Sequence, residues 1–454
     1  MKNLRFTTRL LMGATVAFAL SLSFTSCEDD EVDAPLGGTP TTNTTAEENA
    51  FAASFANNSN SQTNISQLDA NNLIPSTSLP TGDMPPMDGF YEQVNYKGAF
   101  GTTDWTSGWT YLSGDKRKFD NTLPTKTVTD NMISGTVSFS KDTIYLLDGF
   151  VFVGSGETLN IAAGTIIKGK SGAGASASAL VVANGGTINA IGTAAEPIIM
   201  TYEGDNGTSQ LSNVKGQWGG LIVLGDAGLN SSPGSTQIEG IPTNETRGLY
   251  GGSNDADNSG TLKYVSIRHG GTDIGAGNEI NGLTLGGVGS GTTIEYIEVV
   301  SNKDDGVEFF GGTANTKYII TAYCGDDSYD YDEGFRGKGQ FWLTVQDSDS
   351  DRAGEHDGGT DPETATPYAK PVIYNATYIG NGVSRAITFR DNAGGEYHNS
   401  IFHNFNKGID IEDLASGEDS YSRFSGSDLA LKGNVFSSIS AGTTSYDLFT
   451  VSVQ

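Results

Sequence analysis

The stretch that decides the fold is said twice. Residues 296–313 read YIEVVSNKDDGVEFFGGT, and residues 318–337 read YIITAYCGDDSYDYDEGFRG. Tyr318, Asp326, Asp327 and Asp330 each follow Tyr296, Asp304, Asp305 and Glu308 by the same 22 residues. An offset held without a gap at four places is an internal repeat. Repeats of this length belong to stacked solenoids, in which no unit buries its apolar face alone. If each unit is one β-coil, residues one period apart lie about 4.8 Å from each other on adjacent strands. Asp304 and Asp305 then face Asp326 and Asp327. Carboxylates packed that closely require a cation, a shared proton or open water.

Outward from the repeat, the chain keeps the same style. GTIIKG, GGTINAIGTAAEPI and QWGGLIVLG are short apolar runs closed by glycine turns. Glycine is abundant (61) and proline modest (13), as in an all-β chain with many turns. Ile161, Ile166, Ile167, Leu180, Val181, Ile188, Ile198 and Ile199 read as inward residues of the early coils. A Gly- and Asn-rich excursion occupies 231–259. The β-helix is expected over 126–454, with its loops leaving from the turns.

The N-terminus carries targeting signals. Lys2, Arg5 and Arg9 precede an apolar run from Leu10 to Leu22, and a small-residue stretch then closes on Cys27. This layout reads as a signal peptide over 1–26. Its end resembles a bacterial lipobox, which makes Cys27 the expected lipidation site. With Cys27 acylated, Cys324 has no disulfide partner and reads as a small buried residue. The acidic run Glu28–Asp33 resembles the surface-export signal of Bacteroidota lipoproteins. Residues 27–82 read as this acidic run and a flexible tether, because their polar stretches lack apolar periodicity. The formal net charge of −28 disfavours nucleic acid and anionic headgroups as partners. It leaves cations, glycans and other proteins, with membrane contact only through the lipid.

Residues 83–125 are aromatic-rich, with Trp105 and Trp109 four apart. They read as a segment that caps or flanks the solenoid. The functional alternative is a sugar-stacking platform in which Trp105 and Trp109 bind the ligand.

The order GTIIKG, GGTINAIGTAAEPI, QWGGLIVLG, VGSGTTIEYIEVV, DDGVEFFGG and GDDSYDYDEGFRGKGQF resembles a family of Bacteroidota cell-surface lipoproteins. The resemblance covers residues 140–346 and implies a right-handed parallel β-helix, lipid-anchored in the outer membrane and facing the cell exterior. It implies no activity. The family's GAF…W…GW phrase lies near its C-terminus, whereas GAFGTTDWTSGW stands here at 98–109.

Between 303 and 361, fourteen acids stand against five bases. Hard oxygen donors at that density suit calcium, which takes six to eight of them. The expected metal ligands are Asp304, Asp305, Glu308, Asp326, Asp327, Asp330, Asp332 and Glu333. His356 is the only histidine there, which argues against zinc. The function expected is a surface binding module for a glycan, a matrix component or an outer-membrane partner, with structural calcium. The alternative is a calcium-assisted lyase or a glycoside hydrolase of acidic polysaccharide. It would use Asp304, Asp305, Asp326 and Asp327, with Arg336 or Lys338 as base.

Overall fold

The computed structural model describes residues 46–54, 58–60, 65–80, 82–208, 212–274, 279–359 and 362–453. The signal peptide, Cys27, the acidic run and Asp361 lie outside the described residues.

Strands pair in parallel, coil upon coil. Ile297 pairs with Ile319 and Val307 with Tyr329, so the 22-residue offset of the sequence is the register of two neighbouring coils. Each complete coil contributes to three faces. The first holds Thr136–Phe139, Thr158–Ile161 and Thr187–Ile191, and continues through the leading halves of the long strands Gly260–Arg268, Thr293–Val300, Asn315–Ala322 and Lys338–Val345. The second face takes the trailing halves of those long strands. The third face has ten strands among the described residues, from Phe150–Val153 to Phe449–Val453. The parallel β-helix expected from the repeat is thus the fold.

The long strands bend between the first two faces at Tyr264, Tyr296, Tyr318 and Phe341, whose φ values lie between 51° and 60°. Bulky side chains avoid that region when nothing holds them there. Here the rings stack on one another along the coils at 4.3, 4.3 and 4.8 Å, which offsets the backbone cost.

Period-two alternation sorts the aliphatics. Ile161, Ile167, Leu180, Ile188 and Ile198 lie in the interior cluster as expected. Ile166, Val181 and Ile199 do not. Ile166 and Ile199 pair on the second face next to the inward Ile167 and Met200, so they point out. Val181 joins Ile222, Ile238, Ile241 and Tyr250 in a separate cluster outside the third face, beneath the 231–259 excursion. All three are buried because other chain covers the coil's exterior.

Much of that covering comes from the N-terminal segment. Within the expected tether, the described residues from 46 on pack against the coils. The helix Ala46–Ser54 packs on the last coil, where Phe51 lies 5.1 Å from Phe424 and 6.1 Å from Phe449. Ser59–Asn60 adds a parallel strand beside Val435 and Phe436. Ile65, Leu68, Leu73 and Leu79 are buried against the second face. The chain then runs back along the solenoid. Gly98 N–H donates to Asn399 O at 2.7 Å, Trp105 meets Tyr318, and Trp109 meets Tyr264. Lys116 O accepts from Arg268, and Phe119 N–H donates to Gly207 O. Thr125–Thr129 finally pairs with Ile144–Asp148 in the first coils. The described residues of 46–121 therefore form a strap from the last coil to the first.

One carboxylate fixes the strap's middle. Glu298, 0 % exposed, accepts the N–H groups of Tyr111 and Leu112 at 2.8 Å each. It also accepts the Ser266 hydroxyl at 2.5 Å, and that hydroxyl accepts Arg268 Nε at 2.8 Å.

Candidate metal centre

The acidic residues converge on the third face and on the turn that leads into it. Along the outward side, Thr284, Glu308, Asp330, Glu355 and Thr388 are successive register partners. Three carboxylates thus stack on three consecutive coils, at the spacing of adjacent strands of about 4.8 Å. In the preceding turn, Asp305 and Asp327 form a second row, and Asp305 Oδ1 accepts Asp327 N–H at 2.8 Å.

Three groups of carboxylate oxygens lie within 4.8 Å of one another: Asp304–Asp305–Asp326, Asp305–Glu308–Asp330 and Asp326–Asp327–Asp351. The middle group is fully buried, whereas Asp326 and Asp351 are exposed. The acids therefore run from solvent at the turn to the buried outward side of the third face.

Burial, reinforced by neighbouring carboxylates, holds Asp304, Asp305, Glu308, Asp327 and Asp330 well above the usual carboxylate range. Burial pushes Glu355 up to about 7 against the opposing pull of Arg352. Arg352 Nη1 lies 2.6 Å from Glu355 Oε1 and 3.9 Å from Asp327 Oδ2. Arg390 pairs with Asp357 and reaches Glu355 at 3.3 Å. Asp330 Oδ1 is buried with no hydrogen-bond partner among the described residues. Buried charge without a partner is costly. An oxygen-only donor set fits a hard divalent cation such as calcium.

Six of the eight expected ligands fall in these groups; Asp332 and Glu333 do not. Glu333 is occupied elsewhere: Tyr250 and Ser231 hydroxyls donate to its two oxygens at 2.6 Å each. Its backbone sits at φ 53°, where the preceding coils place Gly287 and Gly311 at φ 59° and 62°. Those two hydroxyl bonds offset the cost of a side chain in a glycine position. Asp332 keeps one oxygen on the Glu333 N–H.

The bases expected beside the acids lie elsewhere. Arg336 pairs with Asp255 at 3.1 Å, in the excursion. Lys338 opens a first-face strand and pairs with Asp88 of the strap. The turn Gly334–Gly337 carries both away from the acidic columns, and Arg352 and Arg390 take the place beside them.

Trp109 is 0 % exposed and has no open ring face, since its edge packs on Tyr264 and its Nε1–H donates to Trp105 O. Trp105 is half-buried and stacks on Phe100 at 5.3 Å. Flank packing accounts for both rings. Cys324 is a buried free thiol.

Sequence reading missed Glu239, Asn281 and the Asp351 member of the outer group. The Asn281 side-chain nitrogen donates to Glu239 Oε1 at 2.8 Å and also to Glu308 Oε2. Glu239 sits in the excursion, where no periodicity marks it.

No curated protein and no solved structure matches this chain. A family model described as "Pectate-lyase like beta helix domain" matches residues 131–452, from the first coils to the last strand. A solenoid of three parallel faces, with its acidic columns on one of them, accords with that match, and the chain belongs to the pectate-lyase-like β-helix domain family.

Proposed function

We propose that the protein is a lipid-anchored β-helix of the outer-membrane surface that binds a glycan or an extracellular or outer-membrane protein, with calcium held in its acidic coils. Membership of the pectate-lyase-like family is compatible with a carbohydrate-related role. The segment ending at Cys27 supports the lipid anchor. The observation that carries the calcium reading is the buried group Asp305–Glu308–Asp330, with Asp330 Oδ1 lacking a partner. A bound calcium ion offsets two of that group's three charges and leaves the exposed carboxylates at the turn to meet a ligand's hydroxyls.

The test is thermal melting of the intact protein in calcium and in chelator. Calcium at a hundred times its Kd should stabilise by about 2.7 kcal/mol. An identical melting temperature in both conditions removes the reading. Retention on a glycan panel, with and without calcium, then tests the binding role.

A second reading is a calcium-assisted lyase or hydrolase of acidic polysaccharide. Arg352 favours it, being the base nearest the acids in the place that Arg336 and Lys338 do not occupy. Calcium would there acidify the proton beside a uronate carboxylate. Arg352 is ion-paired to Glu355 and Asp351, which fixes its guanidinium beside the acids. Assay of uronate polysaccharides for new unsaturated or reducing ends separates enzyme from binder.

A further inference from the structure

Glu239 and Glu308 come from distant parts of the chain, yet both hydrogen-bond to one nitrogen of Asn281. Asn281, 2 % exposed, stands two residues before the first residue of the third-face strand Leu283–Gly286. Glu239 is positioned by its neighbours. Ile238 and Ile241 pack in the cluster outside the third face, and Thr236–Gln237 pairs antiparallel with Leu249–Tyr250. The hairpin thus presents a carboxylate to the buried acidic group, and its charge is felt at Glu308, Asp304 and Asp330. One amide cannot neutralise two carboxylates, and Lys303, the nearby lysine, is engaged by Glu279. The unpartnered, buried Asp330 Oδ1 belongs to the group Asp305–Glu308–Asp330, which Glu239 adjoins through Glu308, and is the independent sign that a ligand is wanted there.

We infer that Glu239 is a further ligand of a divalent cation bound by Asp305, Glu308 and Asp330, and that this ion clamps the 236–250 hairpin onto the third face. The inference rests on the calcium reading above. Asn281 is the positioning residue that aims the two glutamates at one point. The hairpin's other ties, Tyr250 on Glu333 and Arg247 on Asp130 and over the Phe152 ring, do not involve the ion. Calcium therefore tightens a hairpin that remains folded without it.

Isothermal titration with calcium, together with hydrogen exchange over residues 236–250, tests this on the intact protein. Calcium should slow exchange in the hairpin. Glu239→Gln should weaken calcium binding at least tenfold and abolish the calcium-dependent slowing. Asp255→Asn, in the same excursion but paired with Arg336, should alter neither. If wild-type protein binds calcium without a change in hairpin exchange, or Glu239→Gln binds it as wild type does, the inference fails and the calcium reading stands. If wild-type protein binds no calcium, both fail. Because the wild-type exchange measurement needs no variant, a misfolded Glu239→Gln leaves the test intact.

Discussion

Replacing Glu298 with alanine should detach the strap. The carboxylate is 0 % exposed and accepts two strap N–H groups at 2.8 Å and the Ser266 hydroxyl at 2.5 Å. Truncation orphans both N–H groups, at about 1–3 kcal/mol each. It also leaves Arg268, itself 0 % exposed, without the negative charge it reaches through Ser266. Removing one member of a buried charged network costs about 3–5 kcal/mol. These contributions overlap, so the expected loss is about 4–5 kcal/mol, a large share of the 5–15 kcal/mol typical of a domain. Glu298→Gln retains a carbonyl acceptor and should lose roughly half as much. Equilibrium urea unfolding measures the loss. Trypsin cleavage at Lys116, Arg117 or Lys118 shows whether the strap has opened before the coils. A loss below about 1 kcal/mol, with no added cleavage, would refute the claim that Glu298 anchors the strap.

Other outcomes follow from the same geometry. Burial pushes Glu333 and Glu355 from an ordinary 4.5 to about 7, so the folded chain keeps protons that the unfolded chain has lost. Calcium-free protein should therefore lose stability as pH rises from about 4.5 to 7, by up to about 3 kcal/mol per group. Thermal melts in chelator across that window check the sign, and a rising melting temperature contradicts it. Trp109→Ala should cost about 3–5 kcal/mol, and Trp105→Ala less because that ring is only half-buried; urea midpoints compare them. Deleting residues 46–60 removes the helix and strand that cover the last coil, leaving Val435–Ser437 and Phe449–Val453 as open edges. Light scattering should then rise with protein concentration.

The register of the acidic coils was legible because no insertion separates Tyr296 from Asp330. The next step was not. Glu355 follows its partner Asp330 by 25 residues, because the turn before Lys338 adds one residue and the turn containing Asp347–Asp351 adds two. The ladder's third rung is thus invisible to a fixed offset. Ile166 and Ile199 defeated the alternation rule for another reason. Where an outer layer covers a sheet, both faces become apolar and the pattern that distinguishes them disappears. The strap left even less trace. Ile65, Leu68, Leu73 and Leu79 follow no helical or strand period, because each is buried by partners hundreds of residues away. Glu239 shares that difficulty, since its role depends on Asn281 and Glu308 and on nothing beside it in the chain.

A stack of coils is nearly a one-dimensional object. Each coil touches only its neighbours, so the ends fray first and unravelling proceeds one rung at a time. The segment from Ala46 to Asn121 changes that arithmetic. It is bound at the final coil through Phe51 and at the opening coils through Lys168, whose Nζ donates to Asn121 Oδ1 at 2.6 Å. Neither terminus of the stack can peel away without breaking contacts that also hold the other. The linear array becomes a loop in its energetics, and unfolding is expected as one concerted transition. The order of events in synthesis is inverted as well: the residues made first find their partners only when the last coil exists.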